Sequence, residues 1–135
     1  MIDPMGSLIE ELRDANIASG RVYGGEVPPG GAKPPQAFRR FVVLTRLATI
    51  RQHRAPIVEV RVGLRCYGST YQDAAALFGE VSDAVDNAGP RISGSNVGIY
   101  QSLDEGGGDA SADPGTNQPF ESGVIALWVA TEAVA

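Results

Sequence analysis

The chain has 135 residues, of which 43% are hydrophobic and 20% are charged, and these proportions exclude a disordered chain. No apolar run approaches the roughly 20 residues that cross a bilayer, and the N-terminal segment is neither basic nor apolar, which argues against a signal peptide. We therefore expect one domain over residues 1–135 with no membrane contact, because two cores within this length would each be marginal.

The single cysteine and the single histidine limit the chemistry of the chain. Zinc sites and Cys/His nucleophile pairs lack the residues that they need. Cys66 has no partner for an internal disulfide, and it lies in an apolar alternation that predicts a buried thiol. His53 lies among arginines at a predicted turn, which is typical of a surface residue. We predict no enzymatic activity, no metal and no cofactor.

Charge is unevenly divided along the chain, whose net charge is −5. Residues 1–72 contain ten Lys/Arg and six Asp/Glu, whereas residues 73–135 contain one Arg and ten Asp/Glu, so the two parts carry +4 and −9. Either the two parts simply have differently solvated surfaces, or neighbouring copies meet with basic surface against acidic surface.

The predicted elements begin with a helix over about residues 4–18, which Asp3 can cap and whose apolar residues recur at spacings of three and four. Four prolines and two glycines in the segment Val27–Gln36 are incompatible with helix and with a strand ladder. We therefore expect a long surface loop at about residues 24–37.

Two strands are expected next. Phe38–Ile50 is rich in β-forming residues, and Pro56–Tyr67 alternates strictly between apolar and other residues. The short polar segment 51–55 between them predicts an antiparallel hairpin with one buried face. The inward residues of the second strand are Val58, Val60, Val62, Leu64 and Cys66.

The second half of the chain predicts a helix and two more strands. Ser69 or Thr70 caps a helix that stops at Gly89-Pro90, and Ser95–Leu103 is a third strand. Glycines, prolines and acids fill residues 104–121, which predicts a second long loop. The last strand, about residues 122–131, is apolar on both sides, so we expect it to be central or covered on both faces.

Together these elements predict an α+β fold in the order α-β-β-α-β-β. Its two helices are expected to pack on one face of a mostly antiparallel four-stranded sheet.

Two charged groups are candidate interaction sites. The acids of the predicted second loop lack the spacing and the terminal glutamate of an EF-hand, and its glycines do not lead into a helix that could bind phosphate. The arginines could bind phosphates, but the acidic chain favours a protein partner. The candidate subunit or partner interface comprises Arg39, Arg40, Arg51, Arg54, Arg61, Arg65, Asp104, Glu105, Asp109 and Asp113.

The order of features resembles the tail terminator proteins, also called minor tail or tail completion proteins, of long-tailed bacteriophages and related gene-transfer particles. An N-terminal helix is followed by Arg21–Gly30 (RVYGGEVPPG) and a proline-rich stretch. The alternating strand continues to Gly68, and Thr70–Ala75 (TYQDAA) opens the next helix directly. The resemblance covers nearly the whole chain.

The resemblance implies a structural role in a virion. Such proteins form a hexameric ring at the head-proximal end of the tail tube, stop its polymerisation and join it to the head-tail connector. The implied partners are further copies of the chain, the tail tube protein and the connector protein, with assembly in the host cytoplasm. Genome DNA would pass through the lumen without specific binding.

Three other interpretations remain open, of which a small hydrolase is disfavoured because the sequence lacks a nucleophile and base arrangement. The chain could be another neck, connector or tail tube subunit, which would differ only in its partners. It could also be a small ligand-binding α+β domain, which would need an apolar pocket between sheet and helices.

Overall fold

The computed structural model describes residues 4–25, 40–51, 57–86, 89–93, 97–114 and 117–130. Two α-helices, a short 3₁₀ turn and six strands make up these ranges. In chain order they are α1 (Pro4–Asp14), the 3₁₀ turn (Ile17–Gly20), β1 (Val22–Gly24), β2 (Phe41–Arg51), β3 (Ile57–Tyr67), α2 (Tyr71–Val85), β4 (Arg91–Ser93), β5 (Val97–Ala112) and β6 (Pro119–Ala130).

The strands form one sheet in the order β1-β2-β3-β6-β5-β4. β1 is parallel to β2, and every other neighbouring pair is antiparallel. The expected four-stranded, mostly antiparallel sheet is therefore wrong, because the sheet has six strands and is mixed. The two additional strands, β1 and β4, have three residues each, which is too short for alternation to be visible in the sequence.

The second predicted loop, residues 104–121, is also wrong. β5 continues through the glycines to Ala112, and β6 begins at Pro119. Register shifts on both sides of Gly107 accommodate the glycines, and Gly106 has a φ of +121° that other residues rarely adopt. The first predicted loop, at about residues 24–37, lies almost wholly outside the described residues.

Both helices pack on the same face of the sheet, which we call the helix face. On β3 the alternation is as predicted, with Val58 to Cys66 buried at every second position. Their neighbours on β2 and β6 share this face. The buried helix residues packed against them are Leu8 and Leu12 of α1 and Leu77, Val81 and Val85 of α2.

The start of α2 is fixed by side-chain caps, as the sequence predicts. The hydroxyl of Thr70 accepts a hydrogen bond from the N–H of Asp73 at 3.1 Å, and the carboxylate of Asp73 accepts one from the N–H of Ser69 at 3.0 Å. Gly68, one residue earlier, is buried beneath the first turn of the helix. A Cβ at Gly68 would overlap the backbone nitrogen of Ala74, so only glycine lets the strand approach the helix this closely.

We predict opposite effects of alanine at two glycines. Gly68→Ala should destabilise the fold by about 1–3 kcal/mol, because the new methyl group meets backbone that cannot move aside. Gly79→Ala, within α2 and with no atom near the new methyl group, should stabilise it by roughly 0.5–1 kcal/mol. Urea unfolding followed by circular dichroism checks both, and equal effects of the two substitutions would contradict the close approach at Gly68.

Candidate interaction surface

No helix within the described ranges packs on the second face of the sheet, which we call the open face. On β3 it presents Glu59, Arg61, Gly63, Arg65 and Tyr67. Pairing register brings Leu103, Asp109 and Ser111 of β5 and the even-numbered residues of β6 to the same face. Of the charged candidates on the hairpin, Arg61 and Arg65 therefore share this surface with part of the acidic segment.

An aromatic cluster closes one end of the open face. Phe41 and Tyr67 stack with ring centroids 4.3 Å apart, and Tyr23 and Phe120 pack at their edges. The hydroxyl of Tyr67 donates a hydrogen bond to the carboxylate of Asp113 at 3.4 Å. The pKa of Tyr67 is raised to about 12, mainly because the phenol is buried, and the nearby Asp113 acts in the same direction. Asp113 is thus held against the cluster.

Arg61 reaches across one strand of the open face. Its guanidinium lies 3.4 Å from the carboxylate of Glu105 on β5 and 3.7 Å from that of Glu59 on its own strand. Ala126 of β6 lies directly between Arg61 and β5, so the arginine crosses a small residue to find its acid. These partly exposed ion pairs contribute little to stability, on the order of 1 kcal/mol or less.

The other basic candidates are separated from this pair. Arg65 lies over the ring of Tyr67, 5.8 Å from its centroid. Arg40 is held by α2, where it contacts the carboxylates of Asp73 at 3.0 Å and Glu80 at 2.6 Å. Arg51 is the last residue of β2. Arg39 and Arg54 lie outside the described residues.

The remaining acidic candidates divide between the two faces. Asp104 lies on the helix side, where its carboxylate accepts a hydrogen bond from the hydroxyl of Ser82 at 2.8 Å and its N–H donates to Asp86 at 2.9 Å. Asp109 is exposed on β5 and pairs in register with Ser122. The structure thus brings Arg61 and Glu105 together and keeps the other candidates apart.

Sequence reasoning missed two exposed apolar residues on β2. Leu47 is 56% exposed and Ile50 is 43% exposed, although both lie within a strand. A register shift between Arg46 and Ala48 turns Leu47 toward Gly63 on the open face. The signal in the sequence was a β-rich run with arginines at Arg46 and Arg51, which is typical of a charged edge strand.

Four further observations concern metal-holding groups, the thiol of Cys66, helix length and one surface groove in the described residues. Within those ranges no group of three or more His, Cys, Asp or Glu side chains could hold a metal ion. Burial raises the pKa of the Cys66 thiol above its usual range, which keeps it protonated. None of the described helices is long and apolar enough to cross a bilayer. An open groove of about 320 Å³ lies beside β4 and includes Ile92 and Tyr100.

Comparisons with known proteins identify a similar fold. No protein-family model matches the sequence, and no curated protein matches it significantly. Among solved structures, a chain of the virion of a native gene transfer agent particle superposes with a TM-score of 0.66. The match covers 93% of this chain and 92% of that chain at 18% sequence identity. At this identity the likeness establishes a shared fold over nearly the full length of both chains.

We predict a pH effect at the aromatic cluster. Because the folded state raises the pKa of Tyr67 from 10.0 to about 12, its contribution to stability is complete below pH 10 and is lost as pH rises through 12. Tyr67→Phe should therefore lose less stability than the wild type between pH 9 and pH 11. Urea midpoints across this range check it, with Tyr71→Phe on the exposed start of α2 as the control. Parallel curves for wild type and Tyr67→Phe would contradict the burial of the phenol.

Proposed function

We propose that this chain is a non-enzymatic structural subunit of a phage-like virion, where copies form a ring, a hexamer, that caps the tail tube. In this proposal the ring stops tube polymerisation and offers its other side to the head-tail connector. The observation that carries the proposal is the fold shared with a chain of a gene transfer agent virion over 93% of the present chain.

The charge distribution supports self-association into a ring. A closed ring needs a heterologous interface, in which one patch of a subunit binds a different patch of the next. Residues 1–72 are net basic and residues 73–135 are net acidic, so charges that are not paired within one copy would attract the opposite charges of a neighbouring copy. Acidic groups that face the lumen would repel DNA phosphates and let the genome pass without binding.

The charged candidates that the structure brings together suit a contact between proteins. The candidate ion pair of Arg61 and Glu105 lies on an exposed sheet face and not in an enclosed pocket. Charged groups on such a surface serve the register and the encounter rate of two proteins more than affinity. Another neck, connector or tail tube subunit would use the same surfaces, and only its position in the particle would differ.

A small ligand-binding domain is the second candidate, and one observation favours it. The groove beside β4 exposes Ile92 and Tyr100, which are 63% and 46% exposed, next to Ile99 and Ala130. Its volume of about 320 Å³ is at the lower end of the range for ligand pockets. If the groove holds a ligand, native mass spectrometry of the freshly purified chain should show a bound mass that Tyr100→Ala abolishes.

We predict that the purified chain forms rings of uniform size. Mass photometry should show one assembled species besides the subunit, and negative-stain averages should show six-fold rings. Because the complementary charges are exposed, raising the salt from about 0.05 M to about 0.5 M should shift the equilibrium toward the subunit.

Labelled antibodies should then mark the head-proximal end of the tail in particles that contain the chain. A chain that stays monomeric at all concentrations and is absent from particles would contradict the proposal. A label elsewhere in the neck or along the tube would favour the other assembly roles.

A further inference from the structure

One edge of the sheet is only partly covered. β1 pairs with Val42–Leu44 of β2, and no strand of the described chain pairs with the outer side of Thr45–Arg51. Exposed strand edges of this kind are templates for pairing with another chain. The exposed Leu47 and Ile50 lie on this segment, which we call the β2 edge.

The backbone of the β2 edge has donors and acceptors that face outward. The N–H of Val42 and the carbonyl of Leu44 point to β1, where they bond to Arg21 at 2.9 Å and Gly25 at 2.7 Å. In an antiparallel pair, the backbone groups of successive residues point alternately toward the partner strand and away from it. The β2 residues opposite every second residue of β3 therefore point their N–H and C=O groups away from β3, as Val42 and Leu44 do. Arg46 and Thr49, opposite Val62 and Val60, therefore turn their backbone groups away from β3.

The opposite edge of the sheet is also only partly covered. β4 pairs with Val97–Ile99 of β5, and the end of α2 lies against Asp104. From Glu105 to Ala112 no strand of the described residues pairs with the outer side of β5. Most of this segment is exposed, and we call it the β5 edge.

The two edges have the directions that a ring requires. Three antiparallel pairings connect β2 to β5 through β3 and β6, so β2 and β5 run in opposite directions. Rotation about a ring axis preserves strand directions when the strands run roughly along that axis. The β2 edge of one copy would therefore meet the β5 edge of the next in antiparallel orientation, the commoner and slightly more stable pairing.

Register limits how the edges can meet. The β2 edge lies level with residues 58–63 of β3, whereas the β5 edge lies level with residues 63–67, so neighbouring copies must be shifted relative to each other along the strands. A shift by an odd number of residues would join the helix face of one copy to the open face of the next, so the shift must be even. The even shifts that bring the two edges beside each other are four and six residues. A shift of four residues, at ~3.3 Å per residue, displaces each copy along the strands, while the four strands β2, β3, β6 and β5 separate the copies by four spacings of ~4.8 Å. The ratio of these two lengths tilts the strands by about 35° to the ring axis, a tilt that is typical of closed barrels.

Charge selects the shift of four. It places Asp109 of one copy beside Ala48 of the next, and Arg61 lies directly beyond Ala48 on β3. A shift of six would instead direct Asp109 toward Glu59, which is unfavourable. Within the chain, Arg61 reaches Glu105 across the small residue Ala126. An equal reach in the other direction, across Ala48, would bring it to Asp109 of the next copy in exchange for Glu105.

The same shift aligns opposite charges at one further position. Arg46 comes beside Ala110, with Glu121 directly beyond it on β6. Each edge therefore repels a copy of itself and attracts the other, which favours a head-to-tail interface over a symmetric one.

We infer that the β2 edge of each copy pairs antiparallel with the β5 edge of the next copy, with a shift of four residues. This inference rests on the ring of the proposed function. The partner is a second copy of this chain, and the sheets join into one continuous sheet around the ring. The short strands β1 and β4 lie beyond the ends of the paired segments and limit their length.

An engineered disulfide tests the register. With a shift of four, Thr45 of one copy lies directly opposite Ser111 of the next, a separation that a disulfide spans. The double variant Thr45→Cys, Ser111→Cys should, on mild oxidation, give a ladder of covalent multimers on a non-reducing gel that contains most of the chains. The native Cys66 is buried and should not take part.

Three controls sharpen the result. The single variants should give dimers at most, and the pair Ala48→Cys, Ser111→Cys, which a shift of six would align, should give no ladder. Circular dichroism and mass photometry of the reduced variants confirm that they fold and assemble. Rings without a ladder from the Thr45 and Ser111 pair would overturn the inference and leave the proposed ring standing. No assembly of the wild type would instead overturn the ring itself.

Discussion

The structure depends on the burial of one side of β3. Val58, Val60, Val62, Leu64 and Cys66 are covered by α1 and α2. The same apolar face continues at the start of β2, with Val42 and Leu44, and along β6, with Ile125, Leu127 and Val129. Fully burying each such side chain stabilises the fold by roughly 1.5–3 kcal/mol before entropy costs. This burial fixes which face each strand residue occupies, and therefore which charges share the open face.

The helices cover a face of the sheet but not its sides. β1 and β4 pair with three residues each at the two edges, and they leave the ends of β2 and β5 uncovered within the described residues. Proteins commonly protect such edges with charge. Here the two edges carry opposite charges. The charges of one edge therefore repel a second copy of that edge and attract the other edge.

Much of the fold follows from local sequence patterns. Alternation on β3 predicted its buried side, the caps at Thr70 and Asp73 predicted the start of α2, and apolar residues on both sides of the last strand predicted the central place of β6 between β3 and β5. These signals are local, because each arises from one element packing on the core. The predicted number of strands was wrong because β1 and β4 have three residues each, which is too few to show an alternation of apolar and polar residues.

The candidate site was less predictable for a physical reason. Glycine-rich, acidic residues 104–112 read as a loop, yet an edge strand tolerates glycines and charges because one of its sides is open to water. Arg40 read as part of a basic surface, whereas the fold directs it to the carboxylates of α2. Only the pairing register, which depends on distant strands, brings Arg61 to Glu105.

The most direct measurement is a cryo-electron microscopy reconstruction of the assembled ring, at a resolution that separates strands. The account predicts β5 of each copy beside β2 of the next, antiparallel, in one uninterrupted sheet with strands tilted by about 35° to the ring axis. Copies that touch through α1, α2 or the open face, with the two sheet edges still apart, would contradict it.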